Sequence, residues 1–422
     1  MGVNSKLRHA KIRPHLQTVL QIPNAKLCRV VSTYMFQPFD SYSQSGVTHE
    51  SQRLPHTWPR LSSTISADMN DQRDNSTVAR IEQDVVATGS FWRQLMCSGS
   101  VFLWLAILVC LIVQPDILAA VTLVPPWCWA VVGIIFALLG WQRSVWRWTL
   151  LAIGLWVVFA LVFVDETQGL WRTIARQVYS AKQSDSLEAA DSSDATIRVI
   201  SLNCANDVES ARELIQHAPD IVLLQESPGR DQVAKLAKEL FGESGGFLHK
   251  GDTSIIAAGA FSDLTPGGAS CFSHARVQLT GGSELDLISL RLAPPVFRMD
   301  FWVSEFWTDH RDRRVDHRNE VNQLVRQLRR ESSKHSVVLG GDFNTTPIDL
   351  VLNDLRTHVF DTFRAAGQGL GNTGTNQYPL FRVDQIWASR DIKALSSIAR
   401  PSSHSDHRMV ISELRLPSNK SD

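Results

Sequence analysis

A block of apolar sequence at residues 95–164 constrains the fold of this chain more than any other feature. It holds three runs without an acidic residue, divided by Gln114-Pro115-Asp116 and by Gln142-Arg143-Ser144. About 20 apolar residues at roughly 1.5 Å each cross a hydrocarbon core of about 30 Å, so each run is long enough for a membrane helix. We predict three transmembrane helices, at about 96–113, 121–141 and 145–164.

Tryptophans crowd the ends of these runs, as they do at membrane–water interfaces. They are Trp92, Trp127, Trp129, Trp141, Trp146, Trp148 and Trp171. Asp116 is expected in a loop, because an acidic residue at the bilayer centre costs about 2.5–3.5 kcal/mol. The alternative is a buried helical hairpin within a soluble protein.

The charged residues around the runs predict which side of the membrane each segment occupies. Arg143 and Arg147 lie between the second and third runs or at the start of the third, whereas Asp165 follows the third. Loops rich in Lys and Arg stay in the cytoplasm, so the chain after Val164 is expected outside it. Arg172 and other basic residues that follow weaken this bias. The prediction is a multi-pass protein of the cytoplasmic (inner) membrane with an extracytoplasmic C-terminal half.

The rest of the chain divides into three parts by composition. Residues 1–90 are polar and lack sustained periodicity, which predicts a disordered tail. Residues 165–195 are predicted to be a linker, whose Ser184–Asp194 part is rich in Ser, Asp and Ala. Residues 196–417 alternate short β-branched runs with helical patterns, which predicts an α/β domain.

Within this domain the most informative stretch is Val337-Val-Leu-Gly-Gly-Asp342-Phe-Asn344. Its first residues predict a buried strand, and the two glycines remove side chains where another backbone or a ligand comes close. Asp342 and Asn344 then leave the strand end on one face, before a helix predicted over 346–356. A carboxylate that orients or deprotonates water, beside a neutral amide that holds a phosphate oxygen, suits phosphoester chemistry. An ordinary strand–turn–helix corner is the alternative.

Four further motifs end or cross predicted strands in the same half. They are Ile197-Arg-Val-Ile-Ser-Leu-Asn203, Asp220-Ile-Val-Leu-Leu-Gln-Glu226, Phe381-Arg-Val-Asp384 and Ser405-Asp406-His407. In this order, together with Gly-Asp-x-Asn, they resemble the DNase I-like endonuclease/exonuclease/phosphatase superfamily, over about Ile197 to Leu416. The resemblance implies an α/β fold with two sheets in a four-layer sandwich, and a hydrolase of phosphate esters.

The resemblance also implies a divalent metal. Glu226 is expected to bind Mg²⁺, with Mn²⁺ as a substitute, while Asn203 lies beside it and Asp406 contributes. A hard cation takes oxygen ligands and keeps most of its waters, so one or two protein carboxylates suffice. The metal would offset charge that develops on the phosphoryl group. Asp342 would align the attacking water, and Asn344 would hold the phosphate.

His407 is implied to lie next to the scissile phosphate, with Asp384 hydrogen-bonded to its far ring nitrogen. An ion pair between Asp384 and Arg382 is the alternative. The sequence departs from the family at Arg291, where a second histidine is common. Arginine cannot serve as a general acid, but it can bind phosphate bidentately. We therefore expect Arg291 to bind the substrate phosphate. We also expect either a substrate with a good leaving group, such as a pyrophosphate, or a different residue as proton donor.

Three functions follow from these features. The first is a membrane-anchored phosphoesterase in contact with membrane lipids, acting on a small or lipid-linked phosphate ester or pyrophosphate. The second is a nuclease acting on external DNA or RNA, which the formal net charge of zero disfavours. The third is a catalytically weak protein that binds phosphorylated ligands. Cys204 and Cys271 are expected to be buried thiols, with a disulfide as the alternative.

One segment fits none of these motifs. The aromatic stretch Val296–Trp307 precedes a helical pattern from Asp309 to Arg330 that is dense in arginine. The pattern predicts either a solvated helix or an amphipathic lid at the membrane surface that admits a lipid head group.

Overall fold

The computed structural model describes residues 71–182, 195–296, 298 and 300–417. Most of the predicted polar tail, residues 1–70, lies outside this part of the chain. The Ser- and Asp-rich centre of the predicted linker lies outside it as well. The disorder and flexibility expected of those segments stay predictions.

Helices make up the first described segment. They are α1 (Asp71–Val113), a 3₁₀ turn (Asp116–Leu118), α2 (Ala119–Leu123), α3 (Pro126–Leu139), α4 (Trp146–Phe163) and α5 (Asp165–Lys182). Residues 71–90, which we assigned to the tail, form the start of α1. Likewise, residues 165–182 of the predicted linker form α5, so the domain that follows is not joined by a wholly unstructured tether.

Two of these helices are long and apolar enough to cross a membrane. They are Thr88–Val113 of α1 and the whole of α4. The second predicted span is broken, because Asp116–Leu123 and Pro126–Leu139 meet at an angle of 78°. Two consecutive prolines explain the break. Each lacks an N–H donor and disfavours helical backbone in the residue before it, and Val124 is accordingly extended.

The apolar helices pack closely on one another. Ser100 Oγ of α1 donates to the carbonyl of Gly133 in α3 at 2.8 Å, and Trp156 Nε1 of α4 donates to Ser100 Oγ at 3.0 Å. A Cβ on Gly133 would lie 1.9 Å from the Trp156 ring. Small residues and interhelical hydrogen bonds hold helices together where the surroundings are as apolar as the side chains.

The second half of the chain is built on strands. They are β1 (Thr196–Asn203), β2 (Ile221–Gln225), β3 (Gly245–Lys250), β4 (Thr253–Asp263), β5 (Phe272–Leu279), β6 (Glu284–Arg291), β7 (Ser336–Asp342), β8 (Val359–Asp361), β9 (Asp384–Ser389), β10 (Lys393–Arg400) and β11 (Met409–Arg415). The helices are α6 (Val208–Arg212), α7 (Arg230–Phe241), α8 (Ser304–Glu331), α9 (Asn353–Arg356) and α10 (Thr362–Ala366).

These strands form one mixed, curled sheet in the order β10-β11-β1-β2-β4-β5-β6-β7-β9-β8, and β3 pairs with β4. The first part of β4 pairs with β2 and its last part with β5, so the two halves of the sheet share this strand. Side chains from both halves meet in one apolar core, which includes Val199, Leu223, Leu287 and Val338. The predicted α/β fold is confirmed, with the two expected sheets continuous through β4.

Helices cover the outer faces of the two halves. Val233 and Leu236 of α7 pack on the half that contains β1 and β2. Val321 and Leu324 of α8 pack on the half that contains β6 and β7. The helix predicted over 346–356 is shorter than expected, because Asp349 accepts the N–H of Val351 and caps a 3₁₀ turn that leads into α9.

The arginine-rich helix α8 is neither a solvated helix nor a free lid. Its buried stripe contains Phe306, His310, Arg314, His317 and Val321, which follow one another at spacings of three or four residues. Polar and apolar side chains therefore share the buried face. In the sequence, the spacing of His310, Arg314 and His317 by three or four residues is the signal that polar side chains share the buried face.

Candidate active site

The predicted site residues lie at neighbouring strand ends. β1 and β2 are parallel, with Asn203 opposite Gln225, so Asn203 and Glu226 emerge from the same edge of the sheet. β7 and β9 are antiparallel, with Asp342 opposite Asp384. The curl of the sheet brings the two pairs together.

Asn203 joins the two pairs. Its Nδ2 donates to Glu226 Oε1 at 3.2 Å and to Asp342 Oδ2 at 3.1 Å, and the side chain is almost completely buried. Its Oδ1 accepts the backbone N–H of Ala205. The expected proximity of Asn203 to Glu226 is therefore present, and the same amide also orients Asp342.

The glycines before Asp342 lie where the chain is most crowded. A Cβ on Gly340 would be 2.7 Å from Leu223 Cδ1 in the opposite half of the sheet, and one on Gly341 would be 1.9 Å from the carbonyl oxygen of Leu290. Any larger residue at Gly341 would displace β6 from β7. The two glycines thus let β7 approach its neighbours, as the sequence predicted.

Asn344 is held tightly by the protein itself. Its backbone adopts a left-handed conformation with φ of 47°, which asparagine tolerates better than most residues. Its Nδ2 donates to the carbonyl of Leu292 at 2.9 Å and to Asp342 Oδ2 at 3.1 Å, which uses both amide hydrogens. To donate to a phosphate, the amide must exchange one of these bonds.

His407 and Asp384 form the pair that the resemblance implied. His407 Nδ1 lies 2.8 Å from Asp384 Oδ2. Burial by itself lowers the pKa of His407, but the Asp384 carboxylate outweighs it and raises the pKa to about 10, so the ring is cationic at neutral pH. Arg382 pairs instead with Asp361 and Asp165, which removes the alternative ion pair with Asp384.

Asp342 lies in the opposite electrostatic situation. Burial, followed by the nearby charge of Asp384, raises the pKa of Asp342 to about 6, although His407 acts against both. A buried carboxylate whose pKa is raised toward neutrality is suited to orient a water molecule and to accept a proton from it. Asp342, Asp384 and His407 each offer a ligand atom within 4.8 Å of the others.

Arg291 does not point at an empty phosphate site. Its Nη2 donates to Glu226 Oε1 at 2.6 Å and its Nη1 donates to Asp252 Oδ2 at 2.6 Å. The side chains of Arg291 and Glu226 are each about a quarter exposed. Asp252 was missed from the sequence, because an acidic residue in the tight turn between β3 and β4 carries no pattern of its own.

Asp406 is less engaged than the other predicted residues. Its side chain is exposed, and none of the described residues forms a hydrogen bond with its carboxylate. Its backbone carbonyl accepts the N–H of Asn376 at 2.6 Å. The predicted link of Asp406 to Asn203 and Glu226 is therefore not made by a direct hydrogen bond.

The residues present fit a divalent cation. Glu226, Asp342 and Asp384 supply carboxylate oxygens, the donors that hard cations prefer. Asp384 Oδ1 is buried and has no hydrogen-bond partner among the described residues, which is costly unless something binds it. Arg291 and His407 add positive charge at the margins of this acidic set.

The two cysteines of the domain are free thiols. Cys204 and Cys271 are both buried, and burial raises the pKa of each. They therefore act as small apolar side chains. The expectation of buried thiols is confirmed and that of a disulfide is not.

Comparisons with known proteins agree with this geometry. Residues 200–407 match the model of the Endonuclease/Exonuclease/phosphatase family, so this part of the chain is a domain of that family, whose members hydrolyse phosphoester bonds and generally use divalent metals. The family includes phosphatases and nucleases. No curated protein matches the sequence.

Several solved structures are similar to the domain. A family protein from Bacteroides thetaiotaomicron is 16% identical, with 53% of this chain and 98% of that chain covered and a TM-score of 0.38. A mannosyl-6-phosphatase from the same organism is 17% identical, over 52% and 99%, with a TM-score of 0.36. D. rerio TDP2 complexed with single strand DNA product is 15% identical, over 52% and 99%, with a TM-score of 0.38.

Proposed function

We propose that this protein is a membrane-anchored, Mg²⁺-dependent phosphoesterase that hydrolyses a phosphate ester or pyrophosphate outside the cytoplasmic membrane. The observation that carries the proposal is the convergence of Asn203, Glu226, Asp342, Asp384 and His407 at one edge of the sheet. Two hydrogen bonds from a single buried amide connect the metal-binding and water-activating carboxylates.

The proposed roles follow from charge and position. A divalent cation held by Glu226 and the neighbouring oxygens, with Asp406 as a contributor through water, would neutralise the phosphoryl group. Asp342 orients the attacking water and accepts its proton, because its raised pKa makes it a better base than an ordinary aspartate. Asn203 and Asn344 fix the position of Asp342 through hydrogen bonds.

His407 supplies positive charge where negative charge develops. Asp384 keeps the ring protonated at Nδ1 and leaves Nε2–H to donate to the phosphoryl oxygen. Arg291 lies on the other side of Glu226, tied to two carboxylates. Its charge can stabilise a diphosphate without taking part in proton transfer, because arginine stays protonated.

The apolar helices support the membrane part of the proposal. Two helices can cross a membrane and the bent pair would make a third crossing. The turn after α1 and the start of α5 both contact the α/β domain, through Asp116 with Arg318 and Asp165 with Arg382. Three crossings place both of these segments on the same side as the domain. The basic loop at Arg143 then lies on the cytoplasmic side.

The test is hydrolysis by the full-length protein in detergent, with wild type compared with Glu226→Ala. With millimolar Mg²⁺, we expect phosphate release from a lipid pyrophosphate, and loss of that release in the variant or on chelation. Nicking of plasmid DNA that depends on Glu226 instead would assign the protein as a nuclease. Absence of both reactions, together with no Mg²⁺ binding in a direct titration, would overturn the proposal in favour of a phosphate-ligand-binding protein.

A further inference from the structure

A shallow groove that is open to solvent lies between α2, α8 and the loop that follows β7. Its walls include Ala119 and Leu123 of α2, His310 and Arg313 of α8, and Asn344 beside the catalytic carboxylate. One wall therefore belongs to the apolar helices, and another belongs to the candidate active site. No role for this groove follows from the motifs of the domain.

The groove is built by a turn of the membrane region that docks on the domain. Gln114, in a left-handed conformation with φ of 45°, is buried at the end of α1. Its Oε1 accepts the N–H of Leu350 at 2.8 Å, and its Nε2 donates to the carbonyl of Ile348 at 3.1 Å. Ile348 itself packs into the apolar helix bundle beside Ile107. The loop after Asn344 thus rests on the membrane helices.

Arg314 fixes this arrangement from the side of α8. It donates to the carbonyl and to the side-chain oxygen of Gln114, at 2.6 and 2.7 Å, and to Asp349 Oδ1 at 2.9 Å. Arg318 pairs with Asp116 one turn further on. Asp349 and Asp116 are therefore neutralised by Arg314 and Arg318, which are not free to bind a ligand.

Two other polar groups of the groove are not used. His310 is 7% exposed, and its Nε2 has no hydrogen-bond partner in the described part of the chain. Arg313 Nε is buried without a partner, and Arg313 takes part in no ion pair with a described residue. An unpaired buried donor is costly, and an unpaired guanidinium favours an anion. Glu320, on the same helix, accepts the N–H of Ala293 and is attracted to Arg313 through space, but it forms no ion pair with it.

We propose that this groove binds the phosphate head group of a membrane lipid, with His310 and Arg313 as donors and the hydrocarbon chain lying against Ala119 and Leu123. The inference rests on the proposed hydrolase and names its substrate class, an amphiphile with a terminal phosphate or diphosphate. Such a lipid would reach Asn344 from the apolar helices. A soluble ester has no hydrocarbon chain that could contact Ala119 and Leu123 of α2. The charge of Arg313, the burial of His310 and the position of α2 all favour a ligand with one apolar end and one anionic end.

Binding is tested apart from catalysis. The full-length Glu226→Gln variant in detergent is titrated calorimetrically with dioctanoyl phosphatidic acid and with glycerol 3-phosphate, which share a phosphate monoester but differ in acyl chains. We expect the lipid to bind at least about tenfold more tightly, and Arg313→Ala to weaken it by about tenfold or more. Arg311→Ala is the control, because Arg311 is exposed on the same helix and pairs with Asp312. Equal binding of both ligands, or equal effects of both arginine variants, would overturn the groove.

Turnover then separates the groove from the hydrolase. In the active protein, Arg313→Ala and Leu123→Asn should raise KM for the lipid and leave p-nitrophenyl phosphate hydrolysis within about twofold of wild type, since uniform binding affects KM. Parallel losses on both substrates would mean that the loop at Asn344 was disturbed, and would reject the groove as a lipid site. If wild type hydrolyses neither substrate but lipid binding still depends on Arg313, the proposed hydrolase activity is rejected and the proposed lipid-binding site is supported.

Discussion

Two sets of buried carboxylates in this molecule show opposite electrostatic behaviour. In the contact between α5 and the domain, Asp165 and Asp361 share Arg382, which donates to them at 2.8 and 2.5 Å. Burial raises the pKa of Asp165, but Arg382 and Arg364 outweigh it and hold that pKa below its usual range. At the strand ends, Asp342 forms no ion pair with an arginine of the described residues, and its pKa is raised.

The difference separates structural charge from charge kept for chemistry. Arg382 is 4% exposed and Asp361 is 3% exposed, so the docking pair is closed to ligands. Asp342 is equally buried but is held by the neutral amides of Asn203 and Asn344. A carboxylate that is buried, oriented by neutral amides and not held in an ion pair with arginine is what a site for a metal and a water requires.

The largest expected effect comes from removing charge at the strand ends. Asp342→Asn keeps the shape but cannot accept a proton, so phosphoester hydrolysis should fall by about 10²- to 10⁴-fold. Stability should hold or rise, because the variant removes the desolvation cost of a buried charge that His407 offsets only in part. Activity assays and thermal unfolding of the same preparation measure both. A fall in Tm together with activity would make Asp342 structural, like Asp361.

The docking set, which consists of Arg382, Asp165 and Asp361, should lose stability when its charge is removed. Arg382→Met leaves Asp165 and Asp361 buried against each other, which should cost about 3–5 kcal/mol of unfolding free energy. Arg364→Met is the matched control. Arg364 also pairs with Asp165 but is more than a third exposed, so its loss should cost less than about 1 kcal/mol. Equal losses in the two variants would contradict the distinction between closed and open pairs.

Arg291 shares features of both regions. It forms ion pairs, as Arg382 does, but its partner Glu226 is a residue of the candidate site. Arg291→Gln should free Glu226 and tighten Mn²⁺ binding by about tenfold, the equivalent of about 1.4 kcal/mol. Electron paramagnetic resonance of free Mn²⁺ measures the affinity directly. Weaker metal binding in the variant would show that Arg291 orients Glu226 for the metal instead of competing with it.

The smallest effect is a pH dependence confined to the docking set. The folded pKa of Asp165 is lower than its unfolded value of about 3.9, so its contribution to stability is complete above that pH. The contribution is lost as pH falls below about 4 and through the folded pKa. Hydrogen exchange in α5 should therefore accelerate below about pH 4 in wild type, and Asp165→Asn should remove that change. Acceleration between pH 5 and 7 would point to another group.

Several features of the site were predictable because they are local. Gly340, Gly341 and Asp342 lie within one strand, so the sequence places the Asp342 side chain at the strand end directly after two positions without side chains. The pairing of His407 with Asp384 followed from the resemblance. By contrast, the partners of Arg291 did not follow, because Asp252 lies 39 residues away in a turn without a pattern.

The sequence by itself determined the apolar runs, the order of the strand-end motifs and the α/β class, since each depends on periodicity or length within a short segment. Only the tertiary structure decided that Gln114 and Arg314, 200 residues apart, dock the apolar helices on the loop after Asn344. It also decided that α5 is packed on the domain where a linker was expected. Such contacts join single polar residues across the fold, and a single polar residue leaves no period in the chain that could announce its partner.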